Sequence, residues 1–105
     1  MIDGVAIPHR PDADLRLVRI NPRDLRSFYP YVSRGPAEGG YHSLGGMDVV
    51  VYVNSRYVDF DEDTSNPRAS ALFEMAGVGM SLGEIRGDCL LVLGPDKGEY
   101  ERSVP

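Results

Sequence analysis

Two stretches of the chain are apolar without interruption: Val49-Val50-Val51-Tyr52-Val53 and Cys89-Leu90-Leu91-Val92-Leu93. A strand with one wet face alternates, so an unbroken β-branched or aliphatic run implies burial on both faces and a central place in a sheet. Residues 2–7 form a shorter apolar segment that stops at Pro8, and residues 8–12 carry turn chemistry, because proline fixes φ and has no N–H to give a ladder. Residues 15–20 read as a further strand. Arg16 and Arg19 interrupt its apolar positions and leave it half exposed. Asn54-Ser55-Arg56 predicts a turn into an alternating strand, Tyr57-Val58-Asp59-Phe60. Residues 94–98 predict another turn, and residues 99–104 a final returning strand.

The helical segments both follow the tripeptide Asn-Pro-Arg, at residues 21–23 and 66–68. Asparagine is a good N-cap, and proline at the first helical position loses nothing by lacking an N–H. After the first copy, Asp24 suits the positive end of the helix dipole. Leu25, Phe28, Tyr29 and Val32 fall on one helical face, with Pro30 disturbing the last turn. After the second copy, Ala69, Leu72, Phe73 and Ala76 make the apolar stripe, and Gly77 supplies the stop. Residues 79–83 read as a loop. Residues 33–46 hold five glycines and a proline. They are either a long loop or a loop with a short edge strand around Tyr41-His42-Ser43-Leu44.

The order is strand, strand, helix, strand, strand, helix, strand, strand. It predicts one α+β domain over residues 1–105, with a mixed, mainly antiparallel sheet of about five to six strands and two helices. Both helices are expected on one face. The continuous apolar runs ask for cover on the other, from the glycine-rich loop or a partner subunit.

A chain of 105 residues buries roughly 65% of its unfolded surface, enough for one core. The net charge of −5 argues against direct nucleic-acid binding, which needs a positive field. One cysteine, Cys89, excludes an internal disulfide and fits a reducing compartment. No apolar run approaches a membrane span, and no basic-then-apolar leader opens the chain. The expectation is a cytoplasmic protein.

Three segments occur in an order and spacing that resemble a known family. They are Val49-Val50-Val51-Tyr52-Val53-Asn54, then Asn66-Pro67-Arg68-Ala69-Ser70-Ala71-Leu72-Phe73, then Ile85-Arg86-Gly87-Asp88-Cys89-Leu90-Leu91-Val92-Leu93-Gly94. The family is domain of unknown function 3846, small proteins of actinobacterial phages and plasmids, and the resemblance covers residues 15–104. Residues 35–46 are less typical of it. The family has no agreed catalytic residues to carry over. The resemblance implies a phage or mobile-element accessory protein acting in a bacterial host cytoplasm.

Candidate chemistry is sparse. Helix N-termini gather anions, so Asn21 with Arg23 and Asn66 with Arg68 are candidate ligands for a small nucleotide-like anion, against the plainer role of helix caps. Asp59, Asp61 and Asp63 match the first ligand positions of a calcium loop, but Thr64 stands where glycine is needed and Ser70 where a glutamate is, so no metal is expected. They read instead as a solvated acidic loop that either mimics nucleic-acid charge or attracts a basic partner. The glycines of residues 77–83 follow a helix, which is the wrong context for a dinucleotide fingerprint. His9 and His42 have no ligand-spaced neighbours, Cys89 reads as a buried hydrophobe, and no serine lies in a nucleophile elbow.

Tyrosine is enriched at interfaces. Tyr29, Tyr31 and Tyr41, with Arg34, flank the glycine-rich segment and are the candidate partner surface together with the acidic loop. The leading expectation is a non-enzymatic protein, without cofactor, that binds a host protein for takeover or counter-defence. The alternative is sequestration of the small anion at the helix starts. A two-sided apolar sheet in so short a chain also points to a homodimer.

Overall fold

The computed structural model describes residues 1–75, 85–94 and 100–105. The expectations for residues 76–84 and 95–99 (the Gly77 stop, the glycine loop and most of the last turn) lie outside the described residues.

Five strands form one antiparallel sheet: β1 Ile2–Ile7, β2 Arg16–Ile20, β3 Ala37–Leu44, β4 Met47–Asn54 and β5 Cys89–Leu93. Their spatial order is β2-β1-β5-β4-β3. The leucine run β5 is central and the valine run β4 lies beside it, pairing Val50 with Val92 and Tyr52 with Leu90. The class is α+β as expected, and every strand pair within the sheet is antiparallel.

The helices lie on opposite faces, which corrects the expectation of a shared one. Strand side chains alternate, so β4 sends Val50 and Tyr52 to one face and Val51 and Val53 to the other. Phe28 and Val32 cover the first face with Ile20, Leu90 and Val92. Ala69 and Phe73 of the helix α1, Pro67–Met75, cover the second with Ile7, Ile85 and Cys89. Each half of the unbroken apolar runs thus has its own lid, and neither the glycine-rich segment nor a partner subunit is needed for the second layer.

The first helix is a 3-10 helix, Leu25–Tyr31, capped by Asp24 rather than Asn21. Asn21 makes a tight turn before it, with its side-chain oxygen accepting the Arg23 N–H at 3.1 Å. Pro30 sits inside the helix and lacks the N–H that an α-helical ladder would use. The Phe28 ring meets the edge of Tyr52 at 4.8 Å.

Two other expectations change. Tyr57–Asp59 is a 3-10 turn, not a strand. Val58 at its centre is exposed and Arg56 pairs with Asp59 at 3.4 Å. Of the two alternatives for residues 33–46 the edge strand holds, and it is longer than expected, eight residues over 37–44. Gly45 and Gly46 both take positive φ, the conformation that closes a two-residue hairpin between Leu44 and Met47. Of the expected final strand, Arg102 makes a single bridge to Leu93.

Candidate functional site

Residues 8–14 leave β1 as an irregular surface segment; Arg68 and Asp88 hold its backbone, and Asn66 fixes the end of β1 beside it. Asn66 caps α1 by accepting the Ala69 N–H at 3.1 Å, and its amide donates to the carbonyls of Ile7 at 2.9 Å and Gly87 at 3.0 Å. Arg68 donates to the carbonyls of Ala13 at 2.6 Å, Pro8 at 2.7 Å and Arg10 at 2.9 Å. Asp88 accepts the His9 main-chain N–H at 2.9 Å on the oxygen that lies 2.8 Å from His9 Nδ1. Ser33 Oγ in turn accepts the Asp88 N–H at 2.8 Å. A surface segment held at so many successive positions is preorganised around His9.

His9 lines a groove of about 550 Å³ with Ser65, Ser70, Asp63, Glu74 and Arg10. A neutral imidazole that donates from Nδ1 to Asp88 keeps a lone pair at Nε2. Among the described residues no side chain is hydrogen bonded to that atom, and the Ser70 hydroxyl donates to the Asn66 carbonyl instead, at 2.9 Å. The pair can accept a hydrogen bond from a ligand in the groove. Sequence reasoning passed over His9. The signal was the Gly87-Asp88 step, where a glycine with φ +85° turns the carboxylate at the start of β5 toward the end of β1.

The residues expected to fork onto an anion act as scaffold. The Arg68 terminal nitrogens serve three carbonyls, Asn66 is fully buried, and Arg23 lies over the Tyr100 ring at 5.3 Å. The two Asn-Pro-Arg turns sit at separate places and do not converge. The groove beside α1 carries the carboxylates of Asp63 and Glu74, which repel the anion that reading required.

The expected tyrosine surface is divided. Tyr31 is half-buried beneath Arg16 of β2, at 5.9 Å. Tyr41 stands 71% exposed on β3, the opposite edge of the sheet. Tyr29 is half-buried, and Arg34 is exposed with φ +57°. Asp59, Asp61 and Asp63 are exposed along two short 3-10 turns. Among the described residues no group of three or more His, Cys, Asp or Glu is placed to hold a metal ion. Among them, too, no helix is long and apolar enough to cross a membrane.

The β3 edge is the second constellation. In a two-residue hairpin the flanking pair, Leu44 and Met47, exchanges both main-chain bonds, and exchange pairs then recur at every second residue. The bond from the Ser55 N–H to the Pro36 carbonyl at 2.8 Å continues that phase, and the Gly94 N–H on the Asp48 carbonyl at 2.8 Å agrees with it from the other side of β4. Glu38, Gly40, His42 and Leu44 therefore bond inward to β4. Gly39, Tyr41 and Ser43 direct their N–H and C=O outward, where among the described residues β3 has no neighbouring strand.

No protein-family model matches the chain, and no curated protein or solved structure is detectably similar to it.

Proposed function

We propose that the chain is a non-enzymatic accessory protein of a phage or mobile element, acting in the cytoplasm of a bacterial host. It binds a host protein by taking an extended segment of it onto β3. The observation that carries this reading is the outward row of main-chain donors and acceptors at Gly39, Tyr41 and Ser43, beside an exposed tyrosine. An open strand edge is a template for a further strand, and soluble proteins usually blunt it with lysine, proline or a covering loop. β3 holds neither lysine nor proline, and its one charged side chain is Glu38. Strand addition draws affinity from the main chain and specificity from alternate side chains, a role that Tyr41 fills. The family resemblance supplies the phage and host context.

Tyr41→Pro tests the reading. It removes one outward N–H and leaves the inward β3–β4 bonds in place, since proline is tolerated where the N–H faces away from the sheet. A host protein captured from actinobacterial lysate by the native chain should be lost with Tyr41→Pro and kept with Leu17→Ser on the far edge. Equal capture by the native and Tyr41→Pro chains, or no specific capture at several salt concentrations, overturns it.

A further inference from the structure

We infer that the β3 edge also takes a second copy of this chain, antiparallel across a two-fold axis that passes between the two Gly40 residues. The outward positions are the odd-numbered ones, so an antiparallel partner must set odd residues opposite odd residues. For a strand spanning Ala37–Leu44, two symmetric registers satisfy this with nearly full overlap. One puts Tyr41 against its own copy, Glu38 against Leu44, and Ala37 against the Gly45 turn. The other puts Gly39 against Tyr41, Gly40 against Gly40, and Glu38 against His42.

Side-chain chemistry selects the second register. His42 packs edge-on against Phe73 at 4.8 Å, and among the described residues its Nε2 is buried without a hydrogen-bond partner. Leaving a buried polar atom alone is destabilising, so it marks a place for a partner. Gly40 and His42 share one face of β3 with Glu38, and in this register the Glu38 carboxylate of the other copy stands directly across from His42. On the opposite face the exposed Tyr41 of each copy stands across from Gly39 of the other. Gly39 has to be small: a Cβ there would sit 2.8 Å from the Tyr52 ring. The two Glu38 carboxylates are set four residues apart, roughly 13 Å along the strands, so they do not oppose each other. The product is a continuous ten-strand sheet. It rests on the same open edge as the proposed host site and makes self-pairing a competitor of host binding. Its test reads mass and cross-linking rather than capture, so the two readings fail separately.

Sedimentation equilibrium from micromolar to millimolar protein should show a monomer–dimer equilibrium. Tyr41→Pro should shift it to monomer, and Glu38→Lys should weaken it at least several-fold. The register is read by disulfide trapping. Gly40 faces its own copy as a non-hydrogen-bonded pair, with Cα atoms roughly 4.5 Å apart, inside disulfide range. A Cβ at Gly40 would lie 2.9 Å from His42 Nε2, so the ring shifts to admit the cysteine. Mild oxidation should therefore link Gly40→Cys chains quickly, whereas Ser43→Cys chains, set opposite Ala37, should stay monomeric on a denaturing gel. A monomer mass throughout, or Ser43→Cys linking as fast as Gly40→Cys, overturns the inference.

Discussion

The Asn66 amide donates to the Ile7 carbonyl oxygen at 2.9 Å, joining the start of α1 to the end of β1 across 59 positions of sequence. The same amide reaches Gly87, and the side-chain oxygen caps the helix, so one fully buried residue ties β1, α1 and the approach to β5. Asn66→Ala removes a hydrogen bond from each of two carbonyls and one N–H. At about 1–3 kcal/mol for each buried group, the expected loss is at least about 3 kcal/mol. Asn21→Ala removes only an exposed turn bond, and at the low end of capping effects should cost about 1 kcal/mol or less. Urea midpoints of the two variants measure the difference, and comparable losses would show that the two Asn-Pro-Arg copies are equivalent after all.

Arg68 is predicted to be a backbone clamp. Its two terminal nitrogens span the carbonyls of Pro8, Arg10 and Ala13, while among the described residues Nε is buried without a partner. An ammonium cannot reproduce that planar fork, so Arg68→Lys should loosen residues 8–14 although charge is kept. Faster amide exchange at Ala13, whose N–H bonds to Arg10, is the expected readout. A thermal-shift screen with nucleotides should show no stabilisation that depends on Arg68.

The strand core was legible because continuous apolar runs have one physical meaning, burial on both faces, and β4 and β5 carry it. The Asn66 cap was legible for the same kind of reason, a local bond with a known residue preference. The side of each helix was not, since alternation says that two faces need cover but not which helix supplies it. β3 hid behind Gly39 and Gly40. Its strand is imposed by pairing with β4, and the local sign of it was the Gly45-Gly46 hairpin. Tyr57–Asp59 misled through alternating polarity over a segment too short to gain a ladder partner. The His9–Asp88 pair was missed because its members lie 79 positions apart and meet through the β1–β5 pairing, with the glycine before Asp88 as its local sign.

Gly87 should tolerate no side chain. Its φ is +85°, and a Cβ would lie 2.7 Å from the Phe60 ring and 2.8 Å from Ser33 Oγ. Gly87→Ala therefore combines an unfavourable backbone region with a displaced Ser33, the group that positions Asp88. A loss of about 1–3 kcal/mol is expected from the backbone alone. The His9 ring resonances should also move, because Asp88 can no longer meet both its N–H and Nδ1. A shift of stability without any change at His9 would separate Gly87 from the groove.

Alkaline pH should unfold the chain earlier than its exposed groups require. Burial, with a smaller contribution from Asp88, pushes the Cys89 thiol up to about 12 from an ordinary 9.0. Burial and the hydrogen bond to Glu101 likewise raise the Tyr52 hydroxyl well above the usual tyrosine value. In both cases the unfolded chain releases its proton first. Between the unfolded and folded values the unfolded state binds fewer protons, and stability falls as pH rises. The decline should begin near pH 9 with Cys89 and steepen above pH 10 as unfolded Tyr52 ionises. Cys89→Ala should remove the first part of the decline and Tyr52→Phe the second, read from urea midpoints across pH 7–11. In the native chain at pH 8 the thiol should react with a disulfide reagent only as fast as the protein opens, since the thiolate is the nucleophile and folding suppresses it. Reaction at the rate of a free thiol, or a flat stability profile to pH 11, would place Cys89 outside the buried centre of the sheet.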